Sequence, residues 1–325
     1  MDSKPLAIII PAYKQTYFRE TLQSISLQSC TNFTLYIGDD CSPYDLRSIV
    51  YEFESKIDIV YHRFEENLGS KDLVAHWDRC IALSQGEPYI WLFSDDDMME
   101  SRCVEEFLKL PKETRDNHLV HFDTYIMDEA TGSSTTTRPF PALITPMDFL
   151  EEKLRINKKQ GLEIFVVEFI FSREVYENEH KFQTYDLAWG SDFITWLKFS
   201  SSKKGIFTIK ATECHIIWRK SLENITPNQS HPITLRKLSS LVYNAAYINT
   251  WLKENHHYPF FKYSKFVWGN IKESAPILSL REIYNLWKLY NKEVGHYCLS
   301  TVSFIIVVTL KSTSIIKEWL QRKSI

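Results

Sequence analysis

Residues 89–97 read Tyr-Ile-Trp-Leu-Phe-Ser-Asp-Asp-Asp, an apolar run of strand composition that ends in three consecutive carboxylates. Three like charges at the end of a strand repel one another and raise each other's pKa unless a cation or hydrogen-bond donors hold them. Carboxylate oxygens suit hard divalent cations such as Mg²⁺ and Mn²⁺, which keep open positions for substrate phosphates. The alternative is a solvated acidic turn before the helix that is expected near Ser101.

The composition indicates a large globular protein. The chain has 325 residues, of which 44% are hydrophobic and 14% aromatic, enough to bury one large domain with an appendage. Residues 253–325 carry 11 Lys and Arg against 5 Asp and Glu, so the net charge of −3 combines an acidic body with a basic tail. The acidic body argues against a nucleic-acid partner, and the basic tail favours contact with an anionic surface.

The cysteines and the N-terminal segment favour a cytoplasmic protein. The six cysteines form no C-x-x-C pair and no zinc-site spacing, so we expect reduced thiols. The chain enters a predicted strand soon after Lys4, without a basic segment followed by a long apolar region. This is not the pattern of a secretory signal.

Short strand-like runs alternate with helical patterns through residue 93. The predicted strands are 6–10, 33–38, 57–63 and 89–93, and the predicted helices are 16–28, 44–53 and 70–83. This repetition predicts a mostly parallel sheet with helices on both faces, whose ligand site lies at the carboxyl ends of the strands. No glycine-rich phosphate loop occurs in the sequence, so we expect a phosphate ligand to need a metal.

Polar clusters follow the predicted strands and are expected to meet at one rim of the sheet, because parallel strands end on the same side. These clusters comprise Pro11, Ala12 and Tyr13, then Asp39 and Asp40, then Asn67, and finally Asp95, Asp96 and Asp97.

Four motifs in order make a family resemblance specific: IIIPAYK at 8–14, GDDCSP at 38–43, ENLG at 66–69 and GEPYIWLFSDDD at 86–97. They resemble the nucleotide-binding half of family 2 glycosyltransferases of the bacterial surface-polysaccharide type. The resemblance implies an α/β GT-A fold, which is Rossmann-like with a mostly parallel sheet. It also implies an inverting hexosyl- or N-acetylhexosaminyltransferase that uses a UDP-sugar donor, Mg²⁺ or Mn²⁺, and a glycan or lipid-linked oligosaccharide acceptor.

The first rim residues are candidates for the nucleotide base. Pro11 cannot donate a ladder hydrogen bond, so we expect it to end the first strand, and Tyr13 then offers a ring on which uracil can stack. One of Asp39 and Asp40 is expected to accept the uracil N3–H, and the other to bond to the nearby main chain or to cap the following helix. Asn67 is placed against the nucleotide by the family resemblance alone.

The carboxylate trio, Asp95 to Asp97, is the candidate metal site. By resemblance to the D-x-D element of the family, Asp97 is the expected metal ligand, and Asp95 or Asp96 lies near the ribose or a metal-bound water. Alternate side chains of an extended segment point the same way, so Asp95 and Asp97 are expected to share a face. Both are named as candidate ligands, and the register of the motif stays open between two alignments.

The second half of the chain contains a candidate catalytic base. Residues 189–197 place Asp192 at the start of an apolar helix pattern. The family often has two acids here, of which the second is the general base; Ser191 replaces the first, which leaves Asp192. A base is required because a hydroxyl is a poor nucleophile until its proton begins to leave. Burial beside Trp189 and Trp196 is expected to raise the Asp192 pKa; the alternative is a plain helix cap.

The segment 214–226 resembles the part of the family that follows the base helix. Arg219 is expected to pair with the diphosphate or, alternatively, to clamp the loop to an acidic surface. Ser221 stands where the family has a histidine. His215 and His231 are therefore the candidates to complete the metal shell.

We expect a GT-A domain over residues 1–230, with a nucleotide-binding half at 1–100 and an acceptor half at 101–230, and a helical extension over 231–325. In that extension, residues 297–310 are largely apolar and precede several basic residues. The run is shorter than the ~20 residues that span a bilayer. It predicts either an interfacial helix on the inner face of the cell membrane or a helix packed on the core or a second subunit.

Two other functions stay open from the sequence. A nucleotidyltransferase acting on sugar phosphates also places carboxylates and a metal beyond a parallel sheet, but it releases pyrophosphate. A non-catalytic sugar-nucleotide-binding protein is the other alternative, because Ser191 and Ser221 replace polar residues of the family.

Overall fold

The computed structural model describes residues 4–154, 161–224, 228–257 and 261–323. These residues form two compact units. The first comprises residues 4–153, 161–184 and 191–223; the second comprises residue 154, residues 185–190 and the described residues from 224 onward.

The first unit begins with the β-α repetition that the sequence predicts. Its elements are β1 Leu6–Ala12, α1 Phe18–Ser26, β2 Phe33–Asp39, α2 Leu46–Tyr51, β3 Ile59–Arg63, α3 Leu73–Ile81 and β4 Tyr89–Leu92. The strands β1 and β4 are buried on both faces almost throughout, as expected for central strands of a sheet covered by helices. The helix α1 buries Phe18, Leu22 and Ile25, which lie on one face because they are four and three residues apart.

The rest of the first unit completes two sheets. Its elements are β5 Met98–Met99, α4 Cys103–Lys109, α5 Lys112–Asn117, β6 Leu119–Phe122, β7 Thr124–Asp128, β8 Ser133–Thr136, β9 Leu143–Ile144, α6 Pro146–Lys153, a 3-10 turn Val166–Glu168, β10 Phe169–Ser172, α7 Arg173–Asn178, α8 Ser191–Ser201, β11 Ile206–Ile209 and β12 Ile216–Lys220. The large sheet has the order β3-β2-β1-β4-β10-β6-β11-β9, and the small sheet has the order β5-β12-β7-β8.

The large sheet is mostly parallel, as predicted, but it is not uniformly so. The strands β1 to β4 run parallel, and β6 is parallel to β11. Between these two groups lies β10, which is antiparallel to both of its neighbours. The edge strand β9 is also antiparallel. The mixed half of the sheet carries no β-α repetition in the sequence, which is why that pattern did not reveal it.

The prediction that Pro11 ends the first strand is wrong, because β1 continues through Pro11 to Ala12. Its pairing with β4 ends at Ile9, whereas its pairing with β2 continues to Ala12. The Ala12 carbonyl accepts a hydrogen bond from Asp40 N (2.8 Å) on the β2 side. Alternate residues of a parallel strand bond to opposite neighbours, so the missing N–H of Pro11 faces β4, and the β1–β4 pairing ends there while the β1–β2 pairing continues.

The second unit contains four long helices, α9 His231–Glu254, α10 Phe261–Ser274, α11 Leu280–Glu293 and α12 Tyr297–Lys323. The predicted apolar stripe of α9 buries Leu238, Val242, Ala245 and Ile248. Among the described residues, no helix combines the length and the hydrophobicity needed to span a bilayer.

Candidate active site

The carboxyl ends of β1, β2 and β4 bring the predicted rim residues together. The carboxylate of Asp95, which follows β4, accepts hydrogen bonds from the main-chain N–H groups of Tyr13 (2.8 Å) and Lys14 (2.7 Å), which follow β1. Tyr13 is 40% exposed, so this residue is accessible to solvent at the rim. The strand order places β1 between β2 and β4, which is why residues distant in the sequence converge here.

Asp39 lies at the end of β2 and is fully buried. Its Oδ1 accepts from Ser42 N (2.7 Å), and its Oδ2 accepts from Tyr61 Oη (2.5 Å) and Arg63 Nη1 (2.8 Å). Sequence reasoning missed Tyr61 and Arg63. The sequence did contain a signal for them. Tyr61 and Arg63 are two apart in the predicted strand 57–63, so their side chains point to the same face of the sheet.

Asp40 holds a loop in place. Its two oxygens accept from the main-chain N–H groups of Leu68 and Gly69, both at 2.8 Å, and Arg79 pairs with it. A Cβ at Gly69 would lie 2.7 Å from Asp40 Oδ2, so the loop requires a glycine there. Both members of the Asp39-Asp40 pair therefore bond to the main chain, and the role of either one toward a base stays a prediction.

Asn67 closes a turn at the start of the same loop. Its Oδ1 accepts from Ser70 N (2.8 Å), an arrangement typical of asparagine in turns. The side chain is half-buried. This contact accounts for Asn67 without a ligand, and its placement against the nucleotide stays a proposal.

Each member of the carboxylate trio has different partners, although all three side chains are buried. Asp97 accepts from Arg219 N (2.7 Å) through Oδ1 and from Ser94 Oγ (2.6 Å) through Oδ2. Burial, followed by the charge of Asp96, raises the pKa of Asp97 to about 8. Asp95 is bound by main-chain N–H groups, and Asp96 contacts the ammonium of Lys14. The trio is therefore held by donors from three separate segments.

The donor set of the trio fits a hard divalent cation that also binds substrate phosphates. Within the ranges that the structure describes, no three His, Cys, Asp or Glu side chains converge as a preformed metal cage. Mg²⁺ in nucleotide sites is commonly bound through one or two carboxylates, with substrate phosphates completing the shell. A carboxylate oxygen that accepts one hydrogen bond keeps a second lone pair. The carboxylates of Asp95, Asp96 and Asp97 are thus chemically suited to such an ion.

Arg219, on β12, is buried at 2% exposure and clamps the trio from behind. Its Nε donates to the carbonyl of Asp96 (2.8 Å), its Nη2 to Glu20 (2.6 Å), and its Nη1 pairs with Glu129. The guanidinium also lies 4.0 Å from the centroid of the Tyr17 ring. This geometry favours the clamp over the predicted contact with the diphosphate, because the planar donors already meet protein oxygens.

The two histidines proposed for the metal shell have other partners. The Nδ1 of His215 lies 2.8 Å from Glu100 Oε2, and the His215 ring packs against Tyr125. His231 lies in the second unit, 3.0 Å from Glu282. These contacts give both residues structural roles.

Asp192 lies in the first turn of α8, as the sequence predicts. Its Oδ1 accepts from Phe193 N (2.7 Å). Burial raises the pKa of Asp192 to about 6, with the Phe193 N–H and the nearby Lys153 acting in the opposite direction. The Trp196 side chain is fully buried and packs 4.8 Å from the ring of Phe169. A carboxylate with this pKa is ionised at neutral pH and basic enough to accept a proton.

Two charged residues near Asp192 were missed by sequence reasoning. Burial raises the pKa of Glu168 to about 8, and its Oε2 accepts from Phe165 N (3.0 Å). Burial lowers the pKa of Lys153, whose charge is favoured by Asp192 and Glu168. No spacing in the sequence connects these residues to Asp192, because they come from α6 and the 3-10 turn before β10.

Known proteins share sequence similarity with this chain. The model of the family described as Glycosyl transferase family 2 matches residues 7–178. A putative teichuronic acid biosynthesis glycosyltransferase, TuaG of Bacillus subtilis (strain 168), is 26% identical over 233 residues, covering 70% of this chain and 83% of that protein.

Solved structures share the fold at low identity. S. aureus TarS 1–349 in complex with UDP-GlcNAc gives a TM-score of 0.56 at 11% identity, covering 96% of this chain and 92% of that one. The mannosyltransferase PcManGT from Pyrobaculum calidifontis, in complex with GDP-Man and Mn²⁺, gives a TM-score of 0.50 at 15% identity. The match covers 94% of this chain and 86% of that one. The chain spans about half (54%) of a longer TarS structure. Together with the match over more than half of the sequence, these findings show that this chain is a glycosyltransferase of family 2 with the GT-A fold.

Proposed function

We propose that this glycosyltransferase inverts the anomeric configuration as it moves a sugar from a UDP-sugar to a hydroxyl of a glycan or lipid-linked oligosaccharide. The observation that carries the proposal is Asp192: a half-buried carboxylate with a pKa of about 6, in the same unit as the nucleotide rim. Such a group can take the proton of the acceptor hydroxyl at neutral pH.

The base-binding end of the donor site is assigned to Tyr13 and Asp39. Tyr13 is an exposed aromatic residue, and its ring is the proposed stacking surface for a base. Asp39 is the proposed acceptor of the uracil N3–H: its Oδ1 receives one hydrogen bond and keeps a second lone pair, and the fully buried carboxylate must become exposed for the base to reach it. The structures of TarS with UDP and UDP-GlcNAc support a uridine nucleotide as the donor of this chain. The GDP-Man bound by PcManGT makes a guanosine nucleotide the alternative.

The diphosphate end is assigned to the trio. Asp97 and Asp95 are the proposed ligands from the sequence, and the geometry adds Asp96, because its carboxylate faces the Lys14 ammonium rather than main-chain donors. A divalent ion held there would neutralise the charge that develops on the departing diphosphate. Arg219 acts as a positioning residue, since it fixes the main chain of Asp96 and the carboxylate of Asp97.

The proposed transfer step is a direct displacement. Asp192 accepts the proton of the acceptor hydroxyl while the hydroxyl oxygen bonds to the anomeric carbon and the bond to the diphosphate breaks. Attack from the face opposite the leaving group inverts the anomeric configuration. The raised pKa of Asp192 matches this role, because a base is most effective when its pKa lies near the working pH.

The proposed acceptor is a bacterial surface polysaccharide or its lipid-linked precursor. The name of TuaG, with its role in teichuronic acid biosynthesis, supports this class. A panel of nucleotide sugars with Mn²⁺ would first be ranked by thermal shift, because a ligand that binds only the native state raises its melting temperature. Turnover of the best donor should release nucleoside diphosphate. Release of pyrophosphate would instead identify a nucleotidyltransferase, and binding without transfer or hydrolysis a non-catalytic protein.

We also propose that α12 rests on the inner face of the cell membrane. Its residues Val302, Ile305, Ile306 and Leu310 follow one helical face and are about half exposed (45–56%). The basic tail of the sequence supplies charge for an anionic leaflet. The full chain should float with anionic vesicles, whereas Ile305→Glu/Ile306→Glu should not. The control is Tyr51→Glu, at an exposed site of the first unit; equal flotation of all three would contradict the proposal.

A further inference from the structure

The ammonium of Lys14 lies inside the carboxylate trio. Its Nζ pairs with Asp96 Oδ2 and lies 3.3 Å from Asp95 Oδ1. The side chains of Asp95 and Asp96 are only 6% and 5% exposed, whereas that of Lys14 is 26% exposed. A positive charge that belongs to the protein therefore already occupies the place where the trio would meet an external cation.

The main chain of Lys14 is fixed by a hydrogen bond, but its side chain is partly exposed to solvent. The main-chain N–H of Lys14 donates to Asp95 Oδ2 (2.7 Å), which anchors the residue at the rim. The flexible stem of a lysine, partly open to solvent here, allows the ammonium to leave without moving that anchor. Two carboxylates within ion-pair distance of the ammonium favour its charged form. Lys14 is thus a charged and displaceable counter-ion.

We propose that Lys14 is an internal counter-ion that competes with the divalent cation for Asp96, and so sets the metal affinity of this enzyme. The inference rests on the proposed metal-assisted function. Without the metal, Lys14 offsets the repulsion between the adjacent carboxylates. When a divalent cation binds, the ammonium must give up its contact with Asp96, and the work of separating that ion pair weakens apparent metal binding.

The test measures Mn²⁺ affinity directly. The dissociation constant of Mn²⁺ for the full chain would be measured from the electron paramagnetic resonance signal of free Mn²⁺. The variants are Lys14→Gln, Lys14→Arg, which keeps the charge, and Lys71→Gln as the matched control. Lys71 is 69% exposed and pairs with Glu66 on the surface, so its loss changes the net charge equally without touching the trio.

Lys14→Gln should bind Mn²⁺ about tenfold more tightly than the wild type, the factor that ~1.4 kcal/mol produces. Lys14→Arg and Lys71→Gln should keep the wild-type affinity. Equal affinity of Lys14→Gln and Lys71→Gln would overturn the inference. If Lys14→Gln unfolds without metal, restoration of its thermal transition by Mn²⁺ supports the inference, and failure to restore it overturns it.

Titration of UDP in the presence of Mn²⁺ separates this inference from the proposed function. If the wild type binds UDP with Mn²⁺ but Lys14→Gln gains no Mn²⁺ affinity, the donor site stands and only the counter-ion role fails. If neither the wild type nor Lys14→Gln binds Mn²⁺, both the metal assistance and the counter-ion role fail.

Discussion

The trio at residues 95–97 is buried in the first unit, whereas the carboxylate of Asp192 in the same unit is half-buried, and different donors hold the two sites. Main-chain N–H groups, a serine hydroxyl and an ammonium surround the trio. Asp192 bonds to the main-chain N–H of its own neighbour, and burial dominates its pKa. Burial raises the pKa of Asp97 as well as that of Asp192, so the two sites differ in their donors. Donors from three segments fix the trio as a binding surface, whereas Asp192 accepts from the N–H of Phe193 and, with a pKa of about 6, can take a proton near neutral pH.

The comparison also explains why replacement of either site should have distinct consequences. Loss of a member or a clamp of the trio removes charge balance and contacts between segments, so it should affect folding and donor binding. Loss of the Asp192 carboxylate removes a group whose ionised form costs stability, because its folded pKa is raised. It should therefore affect the transfer step and leave the fold intact.

The largest effect is expected for Asp192→Asn. The amide keeps the shape and the acceptor oxygen but cannot take a proton, so kcat should fall by about 10²–10⁴-fold, the range for loss of a general base. The affinity for UDP should not change. Transfer assays and calorimetric titration of UDP would measure both. Asp148→Asn, in the exposed first turn of α6, is the control; normal transfer by the Asp192 variant would remove this residue from the mechanism.

The next largest effect is expected for Arg219→Ala, which breaks the clamp of the trio. Removal of one partner of a buried ion pair costs about 3–5 kcal/mol, and the cost is lower here because the side chain of Glu20 is 56% exposed. Urea denaturation would measure the free energy of unfolding. Arg19→Ala removes an arginine that is exposed and paired with Glu52, and should cost less than about 1 kcal/mol. Equal losses in the two variants would show that the clamp is not needed.

A smaller effect, on stability alone, is expected for Glu168→Gln. The folded pKa of Glu168, about 8, lies above the ordinary value, so the stability it contributes is present below pH 4.5 and lost as the pH rises through 8. The neutral glutamine avoids this loss. At pH 9 the variant should be more stable than the wild type by about 1–3 kcal/mol, the penalty for a buried polar group without adequate partners. Thermal unfolding at pH 5 and 9 would show it; a variant less stable than the wild type at pH 9 would contradict the assignment.

The smallest effect is expected in the pH profile of Lys153→Met. Wild-type kcat/KM should fall below pH 6, where Asp192 becomes protonated. The positive charge of Lys153 lowers the Asp192 pKa, so its removal should move this acidic limb to higher pH by up to about one unit. Lys198→Met, on the same helix as Asp192, is the control. A limb that stays in place would show that Lys153 does not influence the base.

The sequence predicted those parts of this fold that depend on local periodicity. The apolar runs and helical stripes before residue 93 correspond to β1–β4 and α1–α3, and the polar clusters after those strands lie at one rim. The position of Asp192 at the start of α8 was predicted as well. In each case the signal lies within a few neighbouring residues.

The remaining features depend on contacts between distant segments. Asp39 and Asp40 are adjacent in the sequence, but their roles differ because Tyr61 and Arg63 bind one, and Leu68 and Arg79 bind the other. The clamp formed by Arg219 likewise depends on partners some hundred or more residues away. The partners of these three residues are determined by tertiary packing, so a single sequence contains no local pattern that predicts them.

The anomeric configuration of the product tests the central claim most directly. With a UDP-sugar of α configuration as donor, proton NMR of the transferred sugar should show a β linkage, because a hydroxyl deprotonated by Asp192 attacks from the face opposite the diphosphate. A product with the α linkage would contradict direct displacement and the assignment of Asp192 as its base.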